Sequence, residues 1–284
     1  MAHAAASAEI ERFLTADDRP RTLVIEGDAG IGKTTVWTNA CDVARQRGYR
    51  VATSRPSEAE SVLAYAGVAD LLADVDDDIL DSLPDLQRLA VNRVLLRADA
   101  DGPATDQRVV SAAVVAVLEA LCDAGPVLMT IDDVQWLDTS SKAVVAFVAR
   151  RLTGRVKFLF TERCAPRQGT TTSWLKFGGL EEVAVIRLGP VSLGVLHALI
   201  LHKLDRSFSR AATVRIAEVS GGNPFYALEL ARTFDDAPVP NTGLPGTLAE
   251  LVRSRLGQLD ADVRGVLLAV ASVAAPTVEL VARA

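Results

Sequence analysis

Eight consecutive residues, Gly27-Asp28-Ala29-Gly30-Ile31-Gly32-Lys33-Thr34, place three glycines, a lysine and a hydroxyl in the spacing G-x-x-x-x-G-K-[ST]. Such a set suits a polyphosphate. Glycines let backbone N–H groups turn toward an anion with no Cβ in the way. Lys33 supplies a point charge for β and γ phosphates, and the Thr34 hydroxyl is a ligand for Mg²⁺. Thr35, next in the chain, is counted with the phosphate-binding residues. The loop follows the apolar run Thr22–Glu26 and opens a helical pattern over Lys33–Gly48, the arrangement that supports the motif. A bare strand-to-helix turn does not require glycine, lysine and threonine at these positions. ATP with Mg²⁺ is the expected ligand.

Three further segments carry polar residues at places where chemistry is done. Val127–Ile131 is an apolar run ending in Asp132-Asp133. A buried strand delivers carboxylates to its C-terminal end, where α/β sheets bind ligands. Asp132 is placed to hold Mg²⁺, directly or through water, and Asp133 to orient or deprotonate an attacking water. The plainer alternative is a strand end followed by an acidic turn. Phe158-Leu159-Phe160-Thr161-Glu162-Arg163 is a second such run. Its arginine either senses the γ-phosphate or is solvated or paired with an acid. In Gly222-Asn223-Pro224-Phe225, Asn223 caps a helix and Pro224 takes its first position. A nucleotide contact from Pro224 is compatible with that role. Trp136 reads as a core aromatic.

The elements that position these residues follow from pattern. Ala8–Leu14 reads as a short amphipathic helix, Asp17–Arg21 as a polar turn, Thr22–Glu26 as a strand and Tyr49–Ser54 as another, so the chain opens on a βαβ unit. Residues 58–100 read as helical, with Asp74–Asp78 a solvated turn. Gln107–Cys122 is an apolar helix. Ser140–Leu152 is a helix capped by Asp138 or its Thr/Ser neighbours. Val127–Ile131, Val156–Thr161 and Val183–Leu188 complete five strands. Strands alternating with helices predict an α/β fold with a mostly parallel sheet covered on both faces. After Gly189-Pro190 the strand signal ends. Residues 191–233 are helical with a break at Ser220–Pro224, Asp235–Gly246 reads as a linker, and 247–284 as two or three amphipathic helices.

Composition narrows the classes. The chain has 284 residues, 49% hydrophobic and 23% charged, with a net charge of −6. An acidic chain is a poor candidate for general DNA binding, though a local basic patch stays open. Cys41, Cys122 and Cys164 form no CxxC pair, and His3, His197 and His202 add no metal spacing. Reduced thiols in a cytoplasmic protein are expected. No signal peptide is visible, and the longest apolar stretches, such as Val266–Ala275, are too short to span a bilayer.

Taken together, Gly27–Thr34, Ile131-Asp132-Asp133-Val134-Gln135-Trp136-Leu137-Asp138 and Gly221–Phe225 resemble the STAND class of signal-transduction ATPases, a branch of the AAA+ P-loop superfamily. More narrowly they resemble the ATPase region of large ATP-binding LuxR-type bacterial regulators. Arg55–Glu60 and Ala66–Leu72 look similar too. The resemblance implies a P-loop NTPase domain over 1–190, a helical lid over 191–240 and the start of a winged-helix domain over 241–284. It implies ATP and ADP as ligands and a switch role in transcription regulation. It assigns Asp132 to Mg²⁺, Asp133 to water activation, Arg163 to sensing and Pro224 to a contact near the base.

The sequence also departs from that pattern. Met1-Ala2-His3-Ala4-Ala5 stands where a Gly-Arg-Glu segment enclosing adenine is usual, and the family usually continues into a sensor region and a helix-turn-helix, whereas this sequence stops at Ala284. A fragment or shortened product is expected, with modest ATP affinity, little preference for ATP over GTP, and self-association. No specific DNA binding by this chain and no membrane are expected; the residues name no inducer. Two other classes remain open: a loader related to origin-recognition ATPases, and an interaction module that holds ATP without turnover.

Overall fold

Why five runs become one sheet is visible in their burial. In the computed structural model, which describes residues 2–16, 20–98, 106–152, 156–163, 183–233 and 259–271, β1 (Thr22–Gly27) and β3 (Val127–Ile131) are buried at every position. Strands buried on both faces cannot alternate polar with apolar, so they read as continuous apolar runs. With β2 (Arg50–Ser54), β4 (Val156–Arg163) and β5 (Val183–Arg187) they form a parallel sheet in the order β2-β3-β4-β1-β5. The α/β class with a parallel five-stranded sheet is as expected.

Helices cover both faces of that sheet. Leu23, Ile25, Leu128 and Leu159 pack with Ile10, Phe13 and Leu14 of α1 (Ala2–Thr15) and with Val36, Trp37 and Ala40 of α2 (Lys33–Gln46). The opposite face carries Val24, Met129, Ile131, Phe158 and Phe160. These meet α3 (Ala66–Leu72), α4 (Asp77–Asp81), α5 (Asp85–Val94), α6 (Gln107–Ala124) and α7 (Thr139–Arg151). Lys157 is buried on the α1 side, where its ammonium donates to Phe13 O and, at 2.6 Å, to Ala16 O. A cation at the carbonyl end of α1 satisfies orphan acceptors and suits the helix dipole.

Boundaries shift where local chemistry overrides pattern. Tyr49 stands before β2 rather than in it, and its hydroxyl donates to Leu14 O at 2.8 Å. Of the stretch 58–100, the described residues 58–98 hold a short 3₁₀ turn and three helices. Asp77 and Asp78, expected in a solvated turn, form the first turn of α4. Carboxylates at a helix N-terminus are favourable, which explains an acidic run starting a helix.

By contacts the chain divides into Met1–Gly189 and Pro190–Ala284. In the second unit, α8 (Leu193–Leu204), α9 (Arg210–Ser220) and α10 (Pro224–Thr233) share a core of Leu196, Ile200, Ile216, Ala227 and Leu230. Asn223 Oδ1 accepts the N–H groups of Phe225 at 3.1 Å and Tyr226 at 3.5 Å, so it caps α10 and Pro224 is its first residue. In α11 (Ala261–Ala271), Val263, Val266, Leu267 and Val270 are exposed. The polar turn at residues 17–19, the linker Asp235–Gly246 and the apolar positions Leu248, Leu251, Val252 and Leu256 lie outside the described residues. Among the described residues no helix is long and apolar enough to cross a membrane.

Candidate functional site

The ends of β1, β3 and β4 are neighbours in the sheet, and every candidate residue of the first unit lies at or just past one of them. Gly27 closes β1. A Cβ there would stand 2.8 Å from Ile31 Cγ2 and 3.0 Å from Leu188 O, so the turn closes only on glycine. Gly30 and Gly32 take positive φ values of 77° and 101°, and Gly32 is the N-cap of α2. Asp28, Ala29, Thr34 and Thr35 are exposed, whereas Ile31 and Lys33 are buried. The Lys33 ammonium donates to Gly27 O and Asp28 O, both at 2.9 Å, and so lies folded across the loop.

Lys33 is the electrostatic centre of the cluster. Burial lowers its pKa from the ordinary lysine value. The negative charge of Asp133 opposes that most, Arg163 adds to the lowering, and Asp132 and Asp28 oppose it. Those four groups come from the loop, the end of β3 and the end of β4, so one ammonium registers three strand ends.

Asp132 is buried, and its Oδ1 accepts the Thr161 hydroxyl at 2.5 Å. The same hydroxyl oxygen accepts the Asp133 N–H at 2.7 Å. Asp133 has a φ of 51°, in the left-handed region, where the chain leaves β3 and turns into a 3₁₀ segment, Val134–Trp136. Its Oδ1 accepts Gln135 Nε2 at 2.9 Å, and its Oδ2 lies 3.7 Å from Arg163 Nη2. The guanidinium sits 5.7 Å from the centre of the Trp136 ring. Of the two readings of Arg163, pairing with an acid is present in this state, and the acid is the neighbour of Asp132. Trp136 is half-buried beneath Arg163 rather than a core aromatic. The core positions of this turn are taken by Val134 and Leu137 on either side of it.

Pro224 lies in the second unit, which is described by itself, at the first turn of α10. Asp138, expected as a cap, is buried and does more. It accepts Ser141 N–H at 2.9 Å, Tyr65 N–H at 2.9 Å and Gly67 N–H at 3.2 Å. Neither Thr161 nor Gln135 belongs to a motif that singles it out. Thr161 had a signal: a lone hydroxyl at the end of an otherwise apolar run, next to the strand that ends in two aspartates. Gln135 had none, because a glutamine in a turn is ordinary.

A glycine-closed loop, a buried lysine on it and a carboxylate pair beyond the next strand but one define a P-loop ATPase fold. The chain belongs to the AAA ATPase domain family, whose model matches residues 7–160. No curated protein sequence matches it. Among solved structures it is similar to a STAND protein with a tetratricopeptide repeat sensor from Pyrococcus horikoshii, at a TM-score of 0.52 and 14% identity, covering 92% of this chain and 33% of that one. It is also similar to the Aeropyrum pernix ORC1 protein, solved in complex with DNA, at a TM-score of 0.53 and 12% identity, covering 99% of this chain and 75% of that one. The chain thus spans a third of the length of the STAND protein, and at these identities the likeness is one of fold.

Proposed function

We propose that this chain binds ATP with Mg²⁺ at Gly27–Thr34 and hydrolyses it slowly, and that the bound nucleotide sets the state of a signal-transduction or transcription regulator. The observation that carries the reading is the convergence of Asp133, Arg163, Asp132 and Asp28 on the buried ammonium of Lys33. Its residues fit the ligand: the loop closes where a Cβ is excluded, and a cation and two carboxylates stand at its mouth.

Backbone N–H groups at the start of α2 bind phosphate oxygens. Lys33 exchanges its two carbonyl partners for β and γ oxygens. Thr34 and Asp132 hold the cation, Thr34 from the first turn of α2 and Asp132 from the end of β3. Mg²⁺, when bound, supplies the positive charge that neutralises the phosphate oxygens. Asp133 orients the attacking water and takes its proton, and Arg163 moves from Asp133 to the γ-phosphate. The switch role draws on the resemblance of the motif strings to STAND ATPases and is in keeping with the STAND-like fold. Self-association, a cytoplasmic location, and lid and winged-helix roles for 191–240 and 241–284 belong to the same proposal, with Pro224 touching the nucleotide near its base.

The test is calorimetry beside single-turnover hydrolysis. Lys33→Ala should remove most ATP binding. Asp133→Asn should keep ATP bound and stop turnover. Unchanged affinity in the first variant removes the loop from the site, and parent-rate hydrolysis in the second leaves Asp133 a strand-end acid. With a net charge of −6, the chain gives no sequence-selective DNA shift at physiological salt. Turnover stimulated by DNA would favour a loader instead.

A further inference from the structure

Asp133 and Gln135, just past the end of β3, and Arg163, the last residue of β4, close a ring. Gln135 Nε2 donates to Asp133 Oδ1 at 2.9 Å, the Arg163 N–H donates to Gln135 Oε1 at 3.3 Å, and Arg163 Nη2 stands 3.7 Å from Asp133 Oδ2. An amide has one donor end and one acceptor end. Here the acceptor end is tied to a main-chain N–H of β4, so the donor end is fixed toward Asp133. The half-exposed ion pair between Arg163 and Asp133 is the weaker closure, because solvent screens it and both side chains can turn away.

We infer that Gln135 is a positioning residue for hydrolysis: it holds Asp133 by Oδ1 and leaves Oδ2 to face the attacking water when Arg163 turns to phosphate. The inference rests on the reading of Asp133 as the group that activates water. Asp133 needs such a restraint. It stands in a left-handed backbone conformation at a turn, with its N–H fixed by Thr161 but its carboxylate about a quarter exposed. A base free to rotate spends little time aligned with its substrate, and misalignment by about 1 Å costs on the order of 100-fold in rate. Gln135 removes that freedom through a neighbouring strand. The ring also divides the labour. Arg163 is the mobile member that exchanges carboxylate for phosphate, and Gln135 is the fixed one that keeps the base in place during the exchange.

Gln135→Leu and Gln135→Glu test this in the full chain with ATP and Mg²⁺. The leucine variant keeps ATP affinity by calorimetry, KM and the melting temperature, while kcat falls about tenfold or more. Q135E keeps an acceptor for the Arg163 N–H but offers Asp133 no proton at neutral pH, and loses at least as much. Below neutral pH the introduced carboxyl takes up a proton and becomes a donor. The Q135E rate therefore rises relative to the leucine variant measured at the same pH, a change that a purely structural glutamine would not produce. Should Gln135→Leu fail to fold, Q135E, nearly isosteric, carries the test alone through its pH profile against the parent. An unchanged or faster kcat, or a loss that appears in KM and ATP affinity, overturns the inference. Asp133→Asn run in parallel separates the two claims. If it hydrolyses at the parent rate, the reading of the base falls and takes this one with it. If it is inactive while both Gln135 variants match the parent, only the role of Gln135 falls.

Discussion

The Thr161 hydroxyl donates to Asp132 Oδ1 at 2.5 Å while its oxygen accepts the N–H of Asp133 at 2.7 Å, so one buried side chain of β4 holds the carboxylate of Asp132 and the backbone of Asp133 just past β3. A group that orients a metal-holding carboxylate is worth about 10–100-fold in metal affinity. Thr161→Val keeps the shape and removes the hydroxyl. Mg²⁺-dependent ATP affinity should fall by about that factor, and Thr161→Ser should restore most of it. Equal Mg²⁺ titration curves for the parent and Thr161→Val would separate Asp132 from the cation.

Lys33 makes the site sensitive to alkali. Burial lowers its pKa from the usual lysine value. A lowered lysine loses its charge earlier as pH rises, so ATP affinity should weaken on the alkaline side at a pH below the ordinary lysine range. Bound phosphate favours the charged form, and binding in that range should therefore take up a proton. Calorimetry in buffers of different ionisation enthalpy reads the uptake. Affinity that is flat through the ordinary lysine pKa would show that the ammonium carries none of it.

Asp138 ties α7 to the segment leading into α3 through three N–H groups, those of Tyr65, Gly67 and Ser141. Replacing it by alanine removes an N-cap and leaves buried donors without their acceptor. Each such group costs about 1–3 kcal/mol, and the whole change about 2–4 kcal/mol. Urea denaturation should show the loss, with Asp138→Asn intermediate. A shift below about 0.5 kcal/mol would mean that these contacts do not persist in solution.

Cys41 lies buried on α2 against Thr130, and burial pushes its thiol pKa up to about 11. The thiolate is the reactive form, so at neutral pH Cys41 should resist iodoacetamide in the folded protein and label only after denaturation. Peptide mass spectrometry distinguishes it from the other cysteines. Rapid labelling of Cys41 without unfolding would contradict the packing of α2 on β3.

The sheet was legible because its strands are buried on both faces. Val127–Ile131 reads as a strand because it is a short apolar run ending in Asp132-Asp133, in a chain whose Gly27–Thr34 loop already calls for a parallel sheet. Element edges were less so. Tyr49 has the side chain of a strand residue but spends it on Leu14, and the acidity of Asp77 and Asp78 suits a helix start as well as a turn. At the site, Lys33, Asp132 and Asp133 could be named because their types and spacing are chemically restrictive. Arg163 could be placed at a strand end but not assigned a partner, since its register against Gly27 depends on β4 lying beside β1. Gln135 was invisible for the same reason. Its meaning comes from a backbone N–H on another strand.

The strand order has a consequence for biosynthesis. β1 is buried throughout, yet both of its neighbours are made long after it, β4 once residues 28–155 have been added and β5 once residues 28–182 have been. A strand buried at every position but lacking its partners must stay covered by other means while the rest emerges from the ribosome, and long-range parallel pairing is slow to form. The Gly27–Thr34 loop takes its shape between β1 and α2, but the carboxylates and Arg163 join it only when β4 slots between β1 and β3. In the proposed site, nucleotide that meets the loop earlier would find Lys33 and the start of α2 but neither the carboxylates nor Arg163. Full stabilisation of the folded state by mass action would need the chain through Arg163, so the interval before β4 is the one in which β1 has least support.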